Sequence, residues 1–143
     1  MIPKYRAKRI DNNEWVYGVP MSKNHRTWIL FDAEHTKQMV DYPYIGLIFQ
    51  EVDSKTVGQW TGVIGVYEGD IVEGQSCGRS EPVFDYRGVI EYFTEAHVVG
   101  WHVVDIDGGA WELQQICARI SMEHISGCVI GNIHDNPELV KEW

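Results

Sequence analysis

Short runs of β-branched and aromatic residues, each stopped within a few positions by glycine, proline or an Asn/Asp cluster, recur along this chain of 143 residues. Runs of that length are too short for a stable helix, and they match the five or six residues of an average strand. Near the start, Tyr5 and Ala7 alternate with Lys4, Arg6 and Lys8. That is the period of two expected when one strand face meets the core and the other meets water. Asp11-Asn12-Asn13 supplies a turn, Trp15 to Val19 resumes in strand character, and Pro20 is expected to stop it, so this part reads as a β-hairpin. Thr27 to Phe31 and Ile48 to Val52 read as further strands, with Asp32 placed to cap a brief helix over 33–39 and Asp53-Ser54-Lys55 as a cap or turn.

The second half repeats the pattern. In Glu68-Gly69-Asp70, glycine permits a positive φ and the Asp carboxylate can accept from nearby backbone amides, so Ile71-Val72 enters a strand with its register set. Gly74 to Ser80 reads as a loop, Val89 to Phe93 and Val98 to Val104 as two strands, and Asp105 to Gly109 as a hairpin turn. Leu113, Ile116, Cys117 and Ile120 follow helical spacing over 111–120, with a strand as the alternative. Cys128-Val129-Ile130 reads as a closing strand buried on both faces. Asn136-Pro137-Glu138 has the residues of a helix start: a capping Asn, a proline preset for the first position and an acid where the helix dipole is positive. No Gly/Ser- or Pro-rich linker divides the chain, so the reading is one domain over 1–143 with an N-terminal β lobe of about 1–56 and a second lobe of about 57–143.

Composition narrows the class. Hydrophobic residues make up 44% and aromatics 12%, enough to build a core, which excludes a disordered tail. With 21 acidic against 12 basic side chains the formal charge is -9, which opposes generic binding to phosphate backbones. Cys77, Cys117 and Cys128 are odd in number and lack C-x-x-C spacing, as expected of a reducing cytoplasm. No apolar run approaches the roughly eighteen residues of a membrane span, and the first residues lack a signal-peptide core. The expectation is a protein of the cytosol without a membrane partner.

Motifs for chemistry are incomplete. No two of His25, His35, His97, His102, His124 and His134 stand at i, i+4, and Asp105-Ile106-Asp107-Gly108-Gly109 lacks the terminal Glu of a calcium loop. No cysteine has the flanking signature of a thiol hydrolase, and a strand-entry turn accounts for both Glu68 and Asp70. No catalytic residue, metal site or cofactor is therefore expected. Lys4, Arg6, Lys8 and Arg9 form the single basic concentration; the simplest role is the wet face of a strand, and the functional one is a docking stripe. Trp60, Tyr92 and Trp101 are candidate rings beside that stripe, where bases could stack, although rings of this size also fill cores.

Three stretches carry a resemblance. They are Val57-Gly58-Gln59-Trp60-Thr61-Gly62, then Tyr67-Glu68-Gly69-Asp70-Ile71-Val72, and Ile130-Gly131-Asn132-Ile133-His134-Asp135-Asn136-Pro137-Glu138-Leu139. Together they resemble the YopX-like proteins of bacteriophages and prophages, as does the opening Tyr5-Arg6-Ala7 with Trp15-Val16-Tyr17-Gly18. The chain departs from that pattern between Thr61 and Tyr67, where family members carry a longer turn.

The resemblance brings no established activity with it. The spacing of the short strands favours a small, strongly bent barrel over an open sheet and by itself allows an OB-like one. The resemblance implies a small SH3-like barrel in the second half, so the expected fold is mostly β, with an N-terminal β-hairpin lobe and a short C-terminal helix. Gly58, Gln59, Gly62, Gly69, Asp70, Gly131, Asn132, Asn136 and Pro137 are then signature residues with architectural roles. The leading functional expectation is a non-enzymatic protein-interaction or assembly module with an unknown protein partner and self-association as a homo-oligomer. The alternative is a nucleic-acid-associated accessory factor of phage replication or regulation.

Overall fold

The computed structural model describes residues 4–32, 47–63, 65–75, 85–95, 98–105, 109–113 and 129–141. The chain divides into two units, Met1–Trp60 and Thr61–Trp143, each holding one five-stranded antiparallel sheet.

In the first unit the strands are β1 (Tyr5–Lys8), β2 (Trp15–Lys23), β3 (Arg26–Asp32), β4 (Leu47–Val52) and β5 (Gly58–Gln59), in the order β4-β3-β2-β1-β5. Ala7, Ile29 and Val52 form its core, with Val16, Phe31 and Val57 packed against them. The strand over Trp15 to Val19 does not stop at Pro20. It runs on to Lys23, with Pro20 opposite Ile29. The β1 ladder ends at Tyr5↔Gly18, so the side of Pro20 that lacks an N–H faces a position where no ladder bond is due. Asn24 and His25, both at positive φ (53° and 63°), make the tight β2–β3 turn, a geometry whose twist suits a hairpin.

Asp53 caps a 3-10 turn over Ser54–Thr56 by accepting from the Lys55 N–H at 3.0 Å, and the chain then enters β5 beside β1. The end of β1 also meets the end of β4. Arg9 bridges to Val52, the Asp53 N–H donates to the Lys8 carbonyl (2.9 Å) and the Ile10 N–H to the Glu51 carbonyl (3.3 Å).

The second unit contains β6 (Asp70–Gln75), β7 (Asp85–Glu95), β8 (Val98–Val104), β9 (Ala110–Glu112), β10 (Val129–Asn132) and the short helix α1 (Glu138–Lys141). Its sheet order is β10-β6-β7-β8-β9. The core combines Val72, Tyr86, Ile90 and Val103 with Val63, Val66 and Leu113.

Several expectations change here. Among the described residues 57–143 yield an open sheet rather than a closed barrel, and the N-terminal lobe is a five-stranded sheet rather than a hairpin. Trp111 and Glu112 extend β9 against β8, because the Asp105–Gly109 turn returns the chain alongside that strand. Ile130 is 41% exposed, since β10 is an edge strand paired only with β6 among the described strands, with an irregularity between Val129 and Gly131. Gly74 and Gln75, expected to open a loop, continue β6 opposite Tyr86 and Asp85, because β7 runs on alongside them. The expected helix over 33–39, the rest of that loop (76–80) and residues 114–120 lie outside the described residues.

Candidate functional site: the open face of the first sheet

Directly paired residues of an antiparallel sheet point to the same side, so the registers sort the side chains of the first unit into two faces. One face is the core just described. The other carries Lys8 beside Trp15, Arg6 beside Tyr17, the row Val19-Leu30-Phe49, the row Met21-Trp28-Glu51, and Lys23 beside Arg26. Its middle is apolar and its two ends are cationic. Val19 is 60% exposed, Phe49 54%, Met21 46% and Tyr17 41%. The solvated side of an antiparallel sheet ordinarily reads polar. Here it does not.

The cations on this face are anchored to its rings. The Arg6 guanidinium lies over the Trp15 ring at 4.4 Å from the centroid, the Lys8 ammonium at 5.4 Å, and the Arg26 guanidinium over Trp28 at 5.1 Å. Arg26 also reaches across to Glu51 in a two-pronged pair, 2.8 and 2.5 Å, and this hydrogen bonding holds the Glu51 carboxyl below its ordinary range.

The sequence-predicted stripe is only partly kept together. Arg6 and Lys8 share the open face, but Arg6 is buried rather than wet, 7% exposed. Arg9 points away from the stripe by the alternation of β1, and its guanidinium is held by Asp11 at 2.8 and 2.6 Å. Lys4 is exposed just before β1, and its carbonyl accepts from the half-buried Trp60 at 2.6 Å. Tyr92 and Trp101 belong to the second unit, where they pack edge-on at 5.0 Å.

The signature residues make two local structures. Gly58 and Gln59 form β5 against Arg6 and Tyr5, and the hydroxyl of Thr61, just before Gly62, donates to the Val66 carbonyl at 2.9 Å and closes the shortened turn. In the second unit the other two signatures converge, with Asp70 opposite Asn132. The buried Asp70 carboxylate accepts from the Tyr67 N–H at 2.8 Å. Gly69, at φ 86°, donates to the Ile90 carbonyl and accepts from the Ile133 N–H, both at 2.9 Å. The Asn132 side-chain oxygen accepts from the N–H groups of His134 (3.0 Å) and Asp135 (2.9 Å). The Asn136 side chain accepts from the Asn132 N–H at 3.3 Å, so it ties the turn together instead of capping α1. A Cβ on Gly131 would stand 2.5 Å from the Asn136 oxygen, so glycine is what admits this contact. Pro137 follows, and its carbonyl accepts from the Val140 N–H at 3.3 Å in α1.

These two convergent signatures lie inside a longer match. The family model described as YopX protein matches residues 4–141. The chain belongs to the YopX family. Neither the curated proteins nor the solved structures yielded a match. In this YopX chain the signatures build turns and strand pairings, and the open face lies largely outside them. Sequence reasoning missed Val19, Met21, Trp28, Leu30 and Phe49 as surface residues, because their side of the sheet follows from register. The available signal was that β2 is apolar at positions on both of its faces.

A shallow cleft of about 330 Å3 lies beside the β2–β3 turn of this YopX chain, lined in part by Asn13, His25, Arg26, Asp53 and Ser54. Its charged groups already serve the fold, since Arg26 is paired with Glu51 and Asp53 caps the 3-10 turn. Among the described residues no helix is long and apolar enough to cross a membrane.

Proposed function

We propose that this YopX family member is a non-enzymatic interaction module of phage or prophage origin that receives a protein partner on the open face of its first sheet. One observation carries the reading: Tyr17, Val19, Met21 and Phe49 remain exposed on one side of three adjacent strands, framed by cations. A contiguous apolar patch with a polar rim is the anatomy of a protein-binding surface. The nucleic-acid alternative is less well supported. Arg6, Lys8 and Arg26 already occupy positions over the Trp15 and Trp28 rings, and Arg26 is also paired with Glu51, so the cations of this face are engaged within the fold rather than turned to a phosphate backbone.

The strand order also supports a finer reading of the fold. The end of β1 meets the end of β4 at Arg9 and Val52 while β5 pairs with the other side of β1, which supports reading residues 5–59, and not the second half as expected, as the part of the chain nearest to the small barrel that the resemblance implies.

The test is affinity capture from host cells producing the full chain, read by mass spectrometry, with Phe49→Asp and Lys55→Asp compared against wild type. Phe49→Asp is expected to lose the partners that wild type and Lys55→Asp retain. An unchanged partner set in Phe49→Asp would remove the open face from the reading. Binding of single-stranded DNA or RNA by wild type, with affinity falling steeply as salt rises, would favour the nucleic-acid alternative.

A further inference from the structure

The described strands of the second sheet carry a single Lys or Arg side chain, Arg87, which stands 3.3 Å from Glu73 in an ion pair. Over residues 61–143 as a whole, four basic and fourteen acidic side chains leave a formal charge of -10. Carboxylates on this sheet are therefore short of cations, and the registers set two of them in one row with a histidine. His102 lies directly opposite Glu91 on β7 and directly opposite Glu112 on β9, so the three side chains stand side by side on one face. Glu91 and Glu112 are exposed, whereas His102 between them is only 2% exposed.

The ring of His102 is fixed twice. Its Nδ1 stands 2.9 Å from the Gly100 carbonyl, and its plane stacks on Phe93 with centroids 4.4 Å apart and 13° between the rings. A carbonyl oxygen can only accept, so in the neutral imidazole Nδ1 carries the hydrogen and Nε2 is left as an acceptor. That Nε2 is buried without a hydrogen-bond partner. Buried polar atoms are nearly always paired, so an orphan acceptor set between two carboxylates points to a donor from outside the chain. The row also stands where cover ends on this face: Val89, in the row before, is buried, and Phe93, in the row after, is half-buried. Gly100 is opposite Phe93, and among the described residues nothing stands within 4 Å of the place a Cβ on it would take, which leaves space beside the stacked rings.

Independently of the open face of the first sheet, we propose that Glu91, His102 and Glu112 form a binding site for an arginine side chain of a basic partner protein. Three acceptors in line call for several N–H donors and a positive charge on one group, and guanidinium combines them. Neighbouring strands stand about 4.8 Å apart, so the two carboxylates are rooted about 10 Å from each other, a span that suits a broad, forked cation better than a compact ammonium. A metal ion fits less well, because among the described residues no three His, Cys, Asp or Glu groups converge to hold one. The negative charge of residues 61–143 draws a cation at long range, and salt weakens that attraction.

Long-range proton–nitrogen NMR on the full chain, labelled at histidine, tests this with the blocked peptide Gly-Arg-Gly as probe and Gly-Lys-Gly, spermidine and zinc ion as comparisons. His102 is expected as the Nδ1–H tautomer, and the arginine peptide moves its Nε2 resonance in the direction of a hydrogen bond received, less so at high salt. Glu91→Gln and Glu112→Gln each lower the affinity about threefold. His102→Phe keeps a flat ring on Phe93, removes the acceptor and loses binding, with circular dichroism unchanged. Should that variant not fold, the two Gln variants decide. An Nε2–H tautomer overturns the proposal, as does an Nε2 resonance that ignores the arginine peptide or an affinity that both Gln variants leave unchanged. Equal binding of the lysine peptide or of spermidine rejects guanidinium recognition, and zinc held by the three side chains replaces it with a metal site.

Discussion

The two sheets have the same number of strands and opposite burial patterns. In the first, Ala7, Ile29 and Val52 are buried on one side while Val19, Met21 and Phe49 stand exposed on the other, with Arg6, set over the Trp15 ring, the buried exception on that open side. In the second, consecutive residues are buried together: Ile71 with Val72, Val89 with Ile90, His102 with Val103. Successive strand residues point to opposite faces, so paired burial means that both faces of that part of the sheet are covered. An apolar residue on a covered face is explained by the fold. On an open face it needs a partner or a function.

The largest test of this contrast is a core truncation set against a surface one. Ile90→Ala should cost about 2–5 kcal/mol in urea unfolding, through lost burial and the cavity left behind. Val19→Ala should stay within about 0.5 kcal/mol of wild type. A comparable loss at Val19 would mean that the first sheet is covered on both sides as well.

The signature turn should respond at an intermediate level. Asp70→Ala strands the buried Tyr67 N–H and is expected to cost about 1–3 kcal/mol. Gly131→Ala should be clearly destabilising in wild type and milder in an Asn136→Ala background, where the atom its Cβ meets is gone. Additive losses in that double-mutant cycle would show that the two residues do not act as a unit.

The smallest effect belongs to the open face. Because Arg26 lowers the pKa of Glu51, the pair stabilises the fold above the ordinary Glu range, and that contribution fades as pH falls through the lowered value. NMR titration should find the Glu51 carboxyl below a free Glu, returning to the ordinary range in Arg26→Gln. The pair is solvent-screened, so melting temperature should barely move.

Much of the strand inventory was legible, because alternation and turn residues are local signals. Tyr5 to Lys8, Thr27 to Phe31, Ile48 to Val52, Val89 to Phe93 and Val98 to Val104 all fall within strands, and Glu68-Gly69-Asp70 is the expected turn. Pro20 misled because its meaning depends on whether a neighbouring strand still runs alongside. Asn136 misled for a related reason. Its side chain had two acceptor roles open to it, and the nearby Asn132 N–H took the bond that a helix start would have used. The basic stripe was legible as charge, but the rings that its cations cover were not: the registers seat Trp15 beside Lys8 and Tyr17 beside Arg6.

By itself the sequence determined a mostly β chain of the YopX family with an acidic second half and short strands, since composition, periodicity and turn chemistry are written in neighbouring residues. Tertiary structure decided which side of the first sheet stays open, and it set Asp70 against Asn132. Those outcomes depend on register between strands far apart in the chain. A slip of one residue would exchange the two faces without altering any local preference.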